Sequence, residues 1–175
     1  KIKSDYIKFS VRDLSSYSRK SSFGVNLKNI SFELRVGEIF GIAGLAGNGQ
    51  LELMERLSGE VLCDNPETIK LRGEPIGKMN LSKRRKKGLF FIPEERLGHS
   101  AVADMSLWEN GLLSAMHSQR LLNRGFLNFK KSIEFAKRII FRFNVKVGDV
   151  FFNASSLSGG NLQKFIVGRE IEQKP

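Results

Sequence analysis

With 41% hydrophobic and 27% charged residues, a chain of 175 residues is long and apolar enough to fold around a core, which excludes a disordered class. Cys63 is the only cysteine, and His99 and His117 the only histidines, which excludes an internal disulfide and leaves too few soft ligands for a zinc or iron centre. A net charge of +11 suits nucleic acid, an anionic membrane face or a polyphosphate ligand without choosing among them, and no apolar run approaches the roughly 20 residues that cross a bilayer.

The opening stretch KIKSDYIKFSVRDL lacks the apolar core of a secretory signal, so the expected compartment is the cytoplasm. Residues 6–14 alternate well enough for a half-buried strand. Serines and basic residues follow, then a loop around Phe23 and Gly24. Residues 27–38 (LKNISFELRVGE) read as a second strand that turns at Gly37. Residues 39–44 (IFGIAG) read as a short buried strand running into glycines. From Gln50, the spacing of Leu51, Met54 and Leu57 predicts a helix, with Gly59 as its stop.

Further along, TIKLRGEPI (residues 68–76) reads as an edge strand. Residues 81–87 form a short basic helix, with Ser82 as its candidate cap. Its KRRKK run is expected to be a solvated face, since no interleaved aromatics or reader motif mark it as a nucleic-acid patch. Residues 88–93 (GLFFIP) read as a buried strand ended by proline. Helical periodicity covers residues 106–123 and 129–143. The stretch NASSLSGGNLQKFIVGREIEQ is a serine- and glycine-rich turn that opens a last helix.

Residues 41–53 (GIAGLAGNGQLEL) stand between a predicted strand and a predicted helix, the context of a phosphate-binding loop. Glycines let backbone N–H groups converge on a phosphate, and the helix that follows adds its positive end. Gly44, Gly47 and Gly49 meet that need, and Gly44 and Gly49 satisfy G-x-x-x-x-G. The next two positions depart from the pattern. Gln50 brings no charge where a lysine is expected, and Leu51 has no oxygen for Mg²⁺. Glu52 would repel a phosphate if it pointed inward. Taken alone, the loop is equally a nucleotide site or a structural strand–helix turn. LSGGNLQK (residues 157–164) is a second glycine-rich helix start, where Ser158 and the amides of Gly159 and Gly160 could meet an anion. Taken alone, it reads first as a plain capped helix after a loop.

Together the motifs resemble the ATP-binding-cassette (ABC) ATPases. LSGGN-x-Q is similar to that family's signature, downstream of the glycine loop by a typical spacing. Residues 37–53 resemble the Walker A region in the second nucleotide-binding domain of two-domain importers of simple sugars and nucleosides, where Gln or Arg often replaces the lysine. Residues 90–110 resemble the same subfamily's PEDR segment, and residues 23–39 its lead-in strand.

The resemblance implies an α/β fold of the P-loop NTPase, ABC-ATPase type. It divides the chain into a β-rich part with the Walker A core (1–93), a helical subdomain (94–156) and a signature segment (157–175). It implies that Gly44, Gly47, Asn48, Gly49, Gln50, Leu51 and Glu52 form the loop. Glu94 takes the place of the Q-loop glutamine, with a coupling role. Ser158, Gly159, Gly160 and Gln163 belong to the signature, while Leu162 replaces a second glutamine. Tyr17 or Phe23 is the candidate for stacking on adenine. The implied cofactor is ATP, weakly held or shared with a partner domain, with Mg²⁺ in doubt because of Leu51. The implied partners are a second nucleotide-binding domain and transmembrane permease subunits, with no nucleic acid, at the inner face of the plasma membrane. In the family, the strand carrying the Walker B aspartate and catalytic glutamate comes directly after the segment REIEQKP. The expectation is therefore a partial domain, without catalytic residues of its own, whose sheet lacks partners and exposes an apolar face. Rival readings are a non-transport cassette protein acting on ribosomes or nucleic acid, and an inactive remnant.

Overall fold

The computed structural model describes residues 5–17 and 24–175. The chain forms two compact units, Lys1–Leu89 and Phe90–Pro175.

The first unit is built on a four-stranded antiparallel sheet. Strand β1 (Ile7–Ser16) pairs with β2 (Leu27–Arg35) on one side and β3 (Ile69–Leu71) on the other, and β3 pairs with β4 (Glu74–Pro75). Strict alternation would place Val11 and Leu14 on opposite faces. Both are buried, because the pairing register shifts between them, with Asp13 in a left-handed conformation (φ 49°). This bulge returns Leu14 to the core face. The predicted single edge strand over 68–76 is instead a hairpin. Arg72 and Gly73 both take positive φ (52° and 81°) and turn the chain back, so β4 lies at the edge.

Helix α1 (Gln50–Ser58) follows the glycine loop and is closed by Gly59 in the left-handed conformation, as the stop signal implied. Its inward residues differ from the expected set. Leu53 joins the core of Val11, Leu14, Ile69 and Ile76, with Leu57 packed against it, while Leu51 and Met54 face outward. Helix α2 (Leu81–Lys86) is capped by Asn80, whose Oδ1 accepts from the Lys83 amide at 3.1 Å, not by Ser82. The basic run is also not wholly solvated: Arg84 is only 1% exposed.

Two expected strands do not form. Residues 39–44 and 88–93 join no ladder, and Ile39 is 98% exposed. A strand exists only through hydrogen bonds to a neighbour, and no described segment supplies one here.

The second unit is helical. Helix α3 (Leu107–Ala115) starts at Ser106 in a full capping box with Glu109. It is shorter than the 106–123 expected, because the turn Arg124–Gly125 (φ 50° and 86°) folds the chain into a two-stranded ribbon, β5 (Leu122–Asn123) and β6 (Phe126–Leu127). Helix α4 (Phe129–Arg142) is capped by Asn128 and buries Phe135, Ala136 and Ile139. Helix α5 (Gly159–Ile171) contributes Leu162, Phe165 and Ile166 to the same core. At Gly168 a Cβ would stand 2.6 Å from the Phe143 ring and 2.8 Å from Ile139, so only glycine permits this approach of α4 and α5. Arg169 then pins α5 in place, donating to the carbonyls of Asn110 (3.0 Å) and Ser100 (2.9 Å).

Candidate functional site

The glycine loop of the first unit is closed on itself by a side chain. Gln50 stands at the first position of α1 and turns back. Its Nε2 donates to the Leu45 carbonyl at 2.7 Å, and its Oε1 accepts from the Asn48 amide at 3.1 Å. The Asn48 amide also lies 3.3 Å from the Leu45 carbonyl, a tight turn within the loop. Gly44 lies directly beneath: a Cβ there would sit 2.7 Å from Gln50 Nε2. Gly47 takes positive φ (85°), as a nest of converging amides requires.

Glu52 does not face the loop. Its Oε1 accepts from the Val25 amide at 2.9 Å, which ties α1 to the start of β2. Gly49 packs against the same segment, with Val25 and Leu27 within 3.3 Å of where a Cβ would lie. The repulsion feared for Glu52 is thus averted by a contact that local sequence does not reveal. Leu51 is 69% exposed and offers no oxygen.

Mg²⁺ does not fit this loop. The ion requires hard oxygen ligands in near-octahedral array. Leu51 supplies none, and among the described residues no group of three or more His, Cys, Asp or Glu side chains is placed to share a metal. The loop has glycines at positive φ (Gly47 and Gly49) but no lysine charge for a phosphate, and its Asn48 amide is already taken by Gln50 and the Leu45 carbonyl.

The second glycine motif begins α5 in the other unit. Ser158 is its N-cap by backbone geometry (φ −60°, ψ 150°), but its side chain makes no capping bond. Its Oγ accepts from Asn161 Nδ2 at 3.0 Å, and Asn161 Oδ1 in turn accepts from the Lys146 amide at 2.8 Å. A hydroxyl that accepts in this way keeps its own proton to donate. The first-turn amides of a helix have no intrahelical partner, and Gly159 and Gly160 are exposed. The start of α5 is therefore open to an anion. Arg96, which sequence reasoning passed over, lies against it: a Cβ on Gly159 would meet the Arg96 guanidinium at 2.4 Å. The only signal for Arg96 is its place in the acidic–basic segment PEER.

The other expected site residues are less engaged. Glu94 is exposed just after Pro93, and Gln163 is half-buried on α5. Leu162, where the resemblance implies a glutamine, is 2% exposed in the core of the second unit, so its position serves packing. Tyr17 is 78% exposed and stacks on nothing described, and Phe23 lies outside the described residues.

The family model described as ABC transporter matches residues 27–175. The nucleoside import ATP-binding protein NupA of Lactococcus lactis is 34% identical over 165 residues, covering 94% of this chain and 32% of that protein. The ribose import ATP-binding protein RbsA 2 of Rhizobium meliloti is 32% identical over 166 residues, covering 95% of this chain and 30% of that protein. The chain spans about a third of the length of the curated relatives it matches. Among solved structures, the dimeric post-hydrolysis state of the ATP-binding cassette MJ0796 bound to ADP and Pi superposes with a TM-score of 0.76 at 16% identity, covering 95% of this chain and 70% of that one. The glycine loop leading into α1, the LSGG start of α5 and a family match over residues 27–175 agree: this chain belongs to the ABC transporter family and has the fold of its ATP-binding cassettes.

Proposed function

We propose that this chain is the ATP-binding part of an importer for nucleosides or simple sugars, equivalent to the second nucleotide-binding domain of such an ATPase. Its main contribution is made through the signature at α5, not through its own loop. One observation carries this reading. The α5 start is open, with Ser158 making no cap and both glycines exposed, whereas the α1 loop is closed on Gln50 and has no metal ligand at Leu51. The names of the relatives, a nucleoside importer and a ribose importer, support the substrate class.

In this reading a second nucleotide-binding domain holds the nucleotide by a sound Walker A. Ser158 and the amides of Gly159 and Gly160 approach the terminal phosphate from the other side. A helix N-terminus there stabilises charge without having to reorganise. The chemistry that bound ATP supplies is the cleavage of its terminal phosphoanhydride. The loop of this chain completes a weaker site. Residues 94–156, with Glu94 at their start, form the part that meets transmembrane permease subunits, at the inner face of the membrane. No helix among the described residues is long and apolar enough to cross one.

The test uses the assembled importer. Ser158→Arg places a bulky side chain at the α5 start and is expected to reduce ATP turnover at least about tenfold, the scale of losing a preorganised anion donor. Gln50→Ala is expected to change turnover far less. Equal losses from both variants would count against the asymmetric reading, and an unaffected Ser158→Arg importer would end it.

A further inference from the structure

We infer that Gln50 is a built-in occupant of the phosphate loop, a side chain that takes the loop's Asn48 amide and Leu45 carbonyl in the absence of nucleotide. The inference rests on the reading of residues 44–52 as a phosphate cradle and goes further, by assigning a cause for its weakness beyond the missing lysine charge.

The argument starts from what each side chain can do. An ammonium has only donors, so a lysine here could reach the Leu45 carbonyl but could not accept from the Asn48 amide, leaving that amide only its longer bond to the Leu45 carbonyl (3.3 Å). A carboxamide has a donor and an acceptor a little over two ångströms apart, and Gln50 uses both. Its NH₂ group donates to the Leu45 carbonyl (2.7 Å) and its oxygen accepts from the Asn48 amide (3.1 Å). The carboxamide oxygen thus takes a loop N–H of the kind that a phosphate oxygen takes in a working cradle. Gly44 makes the room, since any Cβ there would fall 2.7 Å from Gln50 Nε2. Glu52, the next polar group, is drawn off to the Val25 amide and does not compete for the loop.

One consequence follows. An incoming phosphate must displace a neutral, already satisfied side chain and gains no lysine charge in return.

The experiment measures pyrophosphate binding to the purified protein by calorimetry, without Mg²⁺, for the parent, Gln50→Ala and Gln50→Met. Alanine removes the occupant, and methionine keeps the length without the acceptor. Both are expected to bind pyrophosphate tighter, by on the order of three- to tenfold, the worth of one released neutral hydrogen bond. Exchange of the Asn48 amide with solvent is expected to quicken in both. A residue that merely supported the loop would give weaker binding when removed, not stronger. The double variant Gln50→Lys, Leu51→Ser separates the two ideas. If it binds magnesium–ATP while the alanine and methionine variants show no gain, the cradle stands and the occupant role is overturned. If no variant binds pyrophosphate or ATP, the cradle reading falls and the inference falls with it.

Discussion

Arg84 shows how one residue can escape its neighbourhood. It sits within KRRKK, yet it is only 1% exposed and forms no ion pair with a carboxylate among the described residues. Its guanidinium donates instead to four carbonyls: Met79 (2.8 Å), Arg56 (2.6 Å), Leu57 (2.8 Å) and Gly77 (3.1 Å). Two of these lie in the last turn of α1, where the helix dipole favours a cation. Burial draws the guanidinium pKa below its ordinary value, but an arginine remains charged at neutral pH. Burial likewise raises the pKa of the adjacent Cys63 thiol, against the opposing pull of Arg84 and Arg56, so the thiol stays protonated and inert. Arg84→Met removes the guanidinium donors from those carbonyls, of which Gly77 still accepts from the Cys63 amide (3.0 Å), and is expected to destabilise the first unit by about 3 kcal/mol. Lys83→Met, on the exposed side of the same helix, should change stability by less than about 0.5 kcal/mol. Amide hydrogen exchange of Ile69 and Ile76 reads the first unit directly, and equal protection in the two variants would refute this role.

At the scale of the element, α3 carries a pH-dependent cap. Glu109 Oε2 accepts from the Ser106 amide at 2.8 Å and from the Ser106 hydroxyl at 2.5 Å. These two bonds, the hydroxyl's first, hold the Glu109 pKa below its ordinary value. A carboxyl with a depressed folded pKa stabilises the fold above its unfolded pKa, and that contribution is lost as pH falls through the folded value. Glu109→Ala is therefore expected to cost about 1 kcal/mol at pH 7, the usual worth of a capping box. The gap between variant and parent should close as the pH falls below the ordinary glutamate range and acid titrates Glu109. Trp108, the only tryptophan and the neighbour of Glu109, reports on α3 by fluorescence during urea unfolding. A gap that persists unchanged into acid would mean that the carboxylate is not the source of the effect. The same N-terminal end of the helix is held further by the buried Asn110, whose Nδ2 donates to the carbonyls of Val102, Met105 and Ser106.

At the scale of the whole molecule, the described residues include a glycine loop with Gln50 folded onto it, no group of side chains placed to share a metal, and an LSGG helix start with exposed glycines. The chain by itself is expected to release no phosphate from ATP above background, since Gln50 brings no charge to the loop and Leu51 no oxygen to hold Mg²⁺. Magnesium-dependent phosphate release that copurifies with the protein would overturn this. Nucleotide binding is expected to be weak and nearly the same with and without Mg²⁺, as read by calorimetry. Gln50→Lys with Leu51→Ser should tighten it and make it magnesium-dependent.

The sequence by itself determined the glycine loop and the helix that follows it, the stop at Gly59 and the LSGG start of α5. These depend on backbone permissiveness and periodicity, which act over a few residues. The motif positions of Gly44 to Glu52 and of Ser158 to Gln163 were legible for the same reason. Only the tertiary structure decided what depends on distant partners. It set the bulge at Asp13 that turns Leu14 inward, and it chose Leu53 over Leu51 as the buried face of α1. It sent Arg84 into the core and turned Glu52 toward Val25, 27 residues earlier in the chain. It left residues 39–44 and 88–93 without a ladder, because hydrophobic character makes a segment fit for a strand but only a neighbouring edge makes it one. The folding of Gln50 back onto Leu45 and Asn48 belongs with these. The substitution is plain in the sequence, but a side chain's partners are set by the space and the unsatisfied groups around it, and those exist only once the loop has closed.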